Sequence, residues 1–391
     1  MRRTRIAIGT PAVLLTAALA LTACGGSDGD ASASAAPSGS VGATDLKAAG
    51  CPSTVVVQTD WNPEAEHGGI YQLLGPDPEI DAGSKSVRGN LVDGEGASTG
   101  VQVEIRSGGP AIGFQAVTAQ MYTDDEITLG YVDTDEAIQL SATQPTVGVL
   151  AQLDKSPQMI MWDPATHPDV TTIADLGQTD TIVRYFEGSA YMDYLVGAGV
   201  LTESQLDGGY DGTPAAFVAS GGADAQQGYA SAEPFIYENE VDAWGKPVEY
   251  QLIHDAGFQV YASSLSVRGD KVEELSGCLE ALVPVMQQAD LDYVADPAAA
   301  NALIVELVTE YDTGWQYSEA VAGYAASTMA ELDIVGNGTD GTHGSFDTDR
   351  LQTLIEQTTP IFTEQGTAPK DGLTPADIAT NEFLDTSIAL D

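Results

Sequence analysis

Basic side chains are scarce in this chain: 14 lysines and arginines stand against 58 acidic residues, a formal net charge of −44. A surface of that sign repels phosphate backbones and anionic bilayers, which excludes nucleic acid as a partner. Acidity on this scale speaks for solubility or a salty habitat rather than for a choice of ligand. Histidine is sparse as well, and His67, His167, His254 and His343 are scattered. No CxxC, HExxH or grouped His/Cys spacing occurs, so neither a metal site nor a cofactor is expected. A P-loop is missing too, no G-x-S-x-G elbow stands between a strand and a helix, and no Ser/His/Asp order stands out, so the chain reads as a non-enzyme. The run Gly336–Gly341 does satisfy G-x-G-x-x-G. The dinucleotide fingerprint needs a strand before it and a helix directly after, whereas here a helical pattern precedes and Thr342-His343-Gly344 follows, so it reads as a loop.

Long apolar runs are limited to Ile6–Leu21, behind Arg2, Arg3 and Arg5. That is a charged segment and a hydrophobic segment of a secretion signal, not a membrane span. The run ends in Leu21-Thr22-Ala23-Cys24, which resembles a bacterial lipobox. The resemblance implies that residues 1–23 are removed and that Cys24 is lipidated, anchoring an exported protein to the outer face of the cell membrane. An ordinary signal peptide with an incidental cysteine is the alternative. Residues 24–49, rich in Gly, Ser, Ala and Asp, read as a flexible tether. Loss of the three arginines takes the net charge from −44 to −47. Only Cys51 and Cys278 remain besides Cys24. Two cysteines in an exported chain suggest one disulfide, with two unrelated buried thiols as the other reading.

About 340 residues follow, enough for two domains. Val55–Val57 is a β-branched run that reads as a strand. It leads through Thr59-Asp60-Trp61 to Asn62, a fitting N-cap, and Pro63, a fitting first helical residue, with Ile70, Tyr71, Leu73 and Leu74 on the apolar side. Such a turn is where open α/β sheets place ligands. A half-buried packing tryptophan explains Trp61 equally well from the local pattern. Pro76–Gly100 reads as an irregular acidic loop. Val101, Val103 and Ile105 alternate as a strand ending at Gly108-Gly109-Pro110, where bare backbone can approach a ligand. A short helix is expected over 111–121, strands over 127–131 and 145–153, and a helix near Glu136 capped by Asp133. Alternating strand and helix predict a mostly parallel sheet.

A second α/β unit follows, with a strand at 181–186 and a helix from Ala190 capped by Ser189. Strands near 227–230, 251–253 and 259–263 and helices over 214–220 and 234–240 complete it. Amphipathic helices dominate from Asp270, including 273–288, 298–310 and 318–332.

Several residues now carry a family resemblance. They are Thr59-Asp60-Trp61 with Glu66-His67-Gly68-Gly69, Gly108-Gly109-Pro110, Ile127–Gly130, Glu233-Pro234-Phe235, Gly344-Ser345-Phe346-Asp347 before Arg350-Leu351, and the tail Asn381–Asp385. In their order the chain resembles a class II solute-binding protein of an ABC importer, of the branch taking up nitrate, sulfonates, taurine and thiamine-pyrimidine precursors. The resemblance implies an α/β class II periplasmic-binding-protein fold, with lobe one at 50–150 plus 258–391 and lobe two at 151–257. It further implies a cleft between two hinge crossovers, a monomer, and a permease with its ATPase as partner. By the same resemblance Asp60, Trp61, His67, Gly108, Gly109 and Asp125 approach the solute from lobe one, and Tyr185, Glu187, Ser189 and Glu233 from lobe two. Trp61 and Glu233 stand foremost, although Ser189, Glu187 and Glu233 also suit plain structural roles. The chain departs from the family in its long acidic segment between Leu74 and Val101, which puts ligand identity in doubt.

Anions usually want Arg, Lys or a helix N-terminus, and only Arg106 and Arg184 come near the implied site. Carboxylates and aromatic rings dominate instead, and they suit a thiamine-pyrimidine-like heterocycle stacked on Trp61 or Tyr185. A nitrate-, sulfonate- or taurine-type anion is the alternative. A different class, the pyrimidine-synthesising enzymes of this fold, needs a cofactor lysine and a cysteine-rich run. Residues 120–131 hold no lysine and no such run exists. A surface protein binding a macromolecule is a third reading.

Overall fold

A computed structural model describes residues 41–390, so the signal segment and Cys24 lie outside the described residues. Two sheets organise the chain. The first is built from β1 (Thr54–Gln58), β2 (Glu79–Asp81), β3 (Ser86–Val92), β4 (Ser98–Arg106), β5 (Ile127–Val132) and β6 (Thr146–Leu150). The second takes β7 (Gln158–Trp162), β8 (Val183–Arg184), β9 (Leu206–Asp207), β10 (Ala225–Tyr229) and β11 (Glu249–Leu252), after which β12 (Ser264–Arg268) returns to the first. The spatial orders are β2-β3-β4-β1-β5-β12-β6 and β11-β7-β10-β8-β9.

The expected mostly parallel sheet is corrected to two mixed ones. β1 runs parallel to β4 and β5, while β3 on β4 and β12 on β5 and β6 are antiparallel. The segment expected to be an irregular loop instead forms β2, β3 and the start of β4, a meander whose Val87 and Leu91 are buried. The strand expected at 259–263 lies at 264–268, and the one at 181–186 shortens to β8. The helix expected over 111–121 is a 3-10 turn, Gly109–Ile112, followed by the helix Val117–Thr123.

Central strands are apolar on both faces: all six residues of β5 are buried. That is the pattern of a strand covered on two sides. Helices Val272–Ala295, Ala298–Tyr311 and Glu319–Glu331 cover one face of the first sheet and share its core with Val55, Val57, Val103 and Ile105. Cys278 on the first of these helices is joined to Cys51, just ahead of β1, with a Cα separation of 4.6 Å. No helix among the described residues is long and apolar enough to cross a membrane.

The chain crosses between the sheets twice, from β6 to β7 and from β11 to β12. Arg350 ties the two crossings together. Its guanidinium reaches Asp154 on the first at 3.3 Å, the Val260 carbonyl on the second at 2.7 Å, and the face of Tyr261 at 3.6 Å. Its helix, Thr348–Glu364, packs on Thr134–Leu140 beside the first sheet and on Ala190–Gly197 beside the second. One apolar cluster therefore runs through both lobes.

Candidate functional site

The carboxyl ends of β1, β4 and β5 face those of β8 and β10. Loops after β1 and β4 are zipped by backbone bonds, Gly108 N to Trp61 O at 2.8 Å and Gly109 N to Asp60 O at 2.9 Å. A Cβ on Gly108 would lie 2.2 Å from the Thr59 carbonyl oxygen, and one on Gly109, at φ +55°, 2.8 Å from the Trp61 ring. Only glycine permits that approach. Trp61 is fixed between Phe114, tilted at 5.9 Å, and Trp315, edge-on at 6.0 Å.

Asp60 and His67 form a pair behind this turn. His67 Nε2 meets Asp60 Oδ1 at 2.8 Å, and Ser263 Oγ donates to Asp60 Oδ2 at 2.6 Å. Burial opposes charge on Asp60, but His67 and these hydrogen bonds outweigh it and hold its carboxyl below the ordinary value. His67 has no exposed side-chain surface. Its expected place against the solute is thus corrected: it lies behind Asp60 and positions it. Asn62 is corrected as well, because it is buried and accepts from Thr313 Oγ1 at 2.8 Å rather than capping a helix. The turn there begins only at Ala65, and the helix Gly68–Gln72 follows.

Three further carboxylates, none of them among the expected ligand contacts, complete the lobe-one wall. Glu64 keeps 17% of its side chain exposed and has His67 Nε2 3.7 Å away. Burial, with the negative charges of Glu66, Asp60 and Glu233, pushes its carboxyl well up. Glu66 accepts from Ser231 Oγ on the opposite lobe, and its backbone carbonyl accepts from Gln152 on the first crossing at 3.2 Å. Asp133 accepts from Ser263 N at 2.7 Å instead of capping the helix after it, and burial plus Asp135 and Asp60 push it well up. Beside it burial raises Asp135 to about 6 and Glu136 to about 7.

Lobe two presents Glu233, whose carboxylate accepts from Tyr229 N at 2.6 Å. Burial, with Glu66 adding to it, raises Glu233 to about 7. Desolvation and the charges of Asp133, Glu64 and Glu233 push the Tyr229 phenol up, so acids of both lobes act on it. Phe186 lies on Tyr210 at 4.8 Å, and Tyr210 is within reach of the Glu233 charge. Gln227 Oε1 fixes the wall by accepting from Phe186 N and Tyr191 Oη, each at 2.7 Å.

Asp60, Trp61, Gly108, Gly109 and Glu233 are thus brought together. Ser189 stands at its helix N-terminus, but its hydroxyl donates to the Phe186 carbonyl at 2.7 Å and caps nothing. Glu187 is exposed against Gly208, and Tyr185 packs into the lobe core, near Asp193. Asp125 is corrected outright. It precedes β5, at the opposite end from the cleft, and pairs with Arg268 at 2.7 Å with 89% of its side chain exposed. Arg106 is committed to Glu104, Asp124 and Glu126, and Arg184 to Asp207 and Asp224. Among the described residues no lysine or arginine hydrogen-bonds or ion-pairs with Asp60, Glu64, Glu66, Asp133, Asp135, Glu136 or Glu233. Nor is any group of three or more His, Cys, Asp or Glu among them arranged to hold a metal. A separate groove of about 610 Å³ lies on the outer face of the first sheet, lined by Arg88, Arg106, Arg268 and Lys271, but each of these already pairs with an acid there.

No protein-family model matches the chain, and no curated protein matches its sequence. Solved structures do match its fold. The periplasmic aliphatic sulphonate binding protein SsuA from Escherichia coli superposes with a TM-score of 0.52 at 15% identity, over 87% of this chain and 94% of that one. A putative periplasmic sulfonate-binding protein SsuA from Methylobacillus flagellatus KT gives 0.50 at 15%, over 84% and 92%. The chain therefore has the two-lobed α/β type-II periplasmic-binding-protein fold. At this identity the likeness speaks for the fold alone.

Proposed function

We propose that this protein is an exported, non-catalytic solute-binding protein that delivers a small molecule to an ABC permease and its ATPase, and that the solute carries a positively charged nitrogen. The fold supports the first part, since neighbours of this architecture are named as periplasmic binding components. The observation carrying the second is Glu64. A carboxylate so enclosed faces Glu66, Asp60 and Glu233, and among the described residues only the His67 ring, itself bonded to Asp60, comes within 4 Å of it; it lacks the lysine or arginine partner whose charge a cationic solute supplies. Lipid anchoring through Cys24, and hinge bending of lobes 50–150 plus 258–391 and 151–257 at the two crossings, belong to the same proposal.

A second reading has its own support. Both neighbours are named for sulfonates, which favours the anionic alternative over a thiamine-pyrimidine precursor. An anion would have to be met by carboxyls in their protonated form, and the raised Glu64, Asp133 and Glu233 would then act as donors. Calorimetric titration at pH 8 with cyclohexylammonium, propanesulfonate and nitrate separates the two. The cation is expected to bind and the anions not. Binding of propanesulfonate alone, strengthening as the pH falls, would establish the anionic reading.

A further inference from the structure

We infer that the mouth of the cleft is an aromatic clamp, so that the solute is a flat cation held between rings of the two lobes; this rests on the cationic reading above and narrows it. Four large apolar side chains are exposed among the described residues: Val41, Phe114 at 70%, Phe186 at 41% and Tyr229 at 42%. Exposed apolar residues scattered singly need no explanation, but the three aromatic ones all stand on the walls of one cleft. Phe114 is held at φ +57°, in the left-handed region that a bulky side chain rarely adopts, directly after Gly113 at φ +65°. Glycine would sit there without strain. The ring that occupies the position instead leans on Trp61 with most of its surface in solvent.

The opposite wall repeats the arrangement. Phe186 is backed by Tyr210, which borders Glu233, and Tyr229 reaches towards both Glu64 and Asp133. Each lobe thus offers a supported ring with a free face, Phe114 on Trp61 in the turn that follows Asp60 and Phe186 on Tyr210. A flat cation satisfies both at once: its face stacks on the rings, its charge adds a cation–π term, and its N–H groups reach Glu64 and Glu233. An aliphatic ammonium satisfies the carboxylates but offers no flat face. A sulfonate satisfies neither.

The test compares benzamidine, a flat cation, with cyclohexylammonium, an aliphatic one, and propanesulfonate, by calorimetry on the full chain at pH 8. Benzamidine is expected to bind tightest of the three. Phe114→Leu, Phe114→Gly and Phe186→Leu should each weaken benzamidine about 2- to 13-fold, the range for one aromatic pair, and leave cyclohexylammonium within twofold. Thermal melts of the variants confirm folding, and Phe114→Gly, relieved of its strain, should melt no lower than wild type. Equal affinity for the two cations, or variants that weaken both alike, overturns the clamp and leaves the cationic reading standing. Binding of propanesulfonate alone overturns the cationic reading and the clamp with it, as does failure of every cation to bind at millimolar concentration.

Discussion

Glu233→Gln should move stability and binding in opposite directions. Glutamine keeps the volume of Glu233 and an oxygen able to accept from Tyr229 N, and loses only the charge. The carboxyl is raised from 4.5 to about 7. At 1.36 kcal/mol per unit that shift is worth about 3.4 kcal/mol, and solvent screening at a partly exposed side chain reduces it to about 1–2 kcal/mol. Because the folded protein holds this proton more tightly than the unfolded chain, the favourable contribution is complete below pH 4.5 and is lost as the pH rises through about 7. Glutamine suffers no such loss. In the absence of solute the variant should therefore melt about 1–3 °C above wild type at pH 8 and level with it at pH 4.5. Benzamidine should bind the variant at pH 8 more weakly by about 1.5–3 kcal/mol, or roughly ten- to 150-fold. Affinity of the wild type should fall on acidification below about 7, as Glu233 takes up its proton. Differential scanning calorimetry reads the first effect and isothermal titration the second. A variant that melts lower at pH 8, or that binds benzamidine more tightly, would refute the electrostatic reasoning.

The disulfide closes a loop of 227 residues, so Cys51→Ser with Cys278→Ser should cost up to about 5 kcal/mol in urea unfolding; an unchanged midpoint would show that the bridge constrains nothing in the unfolded chain. His67→Gln removes the ring that hydrogen-bonds the Asp60 carboxylate and should destabilise by about 1.5–3 kcal/mol while weakening cation binding; loss of binding without loss of stability would place His67 against the solute after all. Palmitate should label the exported wild type and not Cys24→Ser, and equal labelling would remove the lipid anchor from the proposal.

What could be read from the sequence was what local periodicity carries. Val55–Val57, the alternation at Val101, Val103 and Ile105, and the helices after Asp270 all have apolar residues at their own period. β7 has no signal of its own because Gln158-Met-Ile-Met-Trp162 offers little β-branching, while the helix Thr348–Glu364 falls in the helical stretch expected after Asp270, although Pro360 inside it blurs its bounds. β3 hid behind Arg88, Gly89 and Asn90, a polar, glycine-containing stretch that interrupts the apolar alternation between Val87 and Leu91. Within the site, Asp60 and Trp61 were legible because a strand end fixes them. Asp125 was misplaced because nearness to a strand does not say which end of it faces the ligand. Tyr229 feels the charge of Glu64 only through the pairing of lobes more than a hundred residues apart, and no local pattern records that. Arg106 and Arg184 are neutralised by acids that lie 18 and 40 residues further along the chain, pairings that no local pattern shows.

The place of β12 sets the order in which this molecule can be made. Inside the first sheet, β6 has β12 as its strand neighbour, and β12 is also what joins β6 to β5. More than a hundred residues separate β6 from β12, and the whole of the second sheet is synthesised in between. A chain emerging from its N-terminus therefore carries Val147, Val149 and Leu150 on an unpaired edge until lobe two has followed, a template for pairing with a neighbouring copy. Assembly of the first lobe waits for the second, which is the slow, non-local kind of folding. The edge of β6 is closed only when residues 264–268 are present, so a truncation anywhere in lobe two leaves the first sheet open as well.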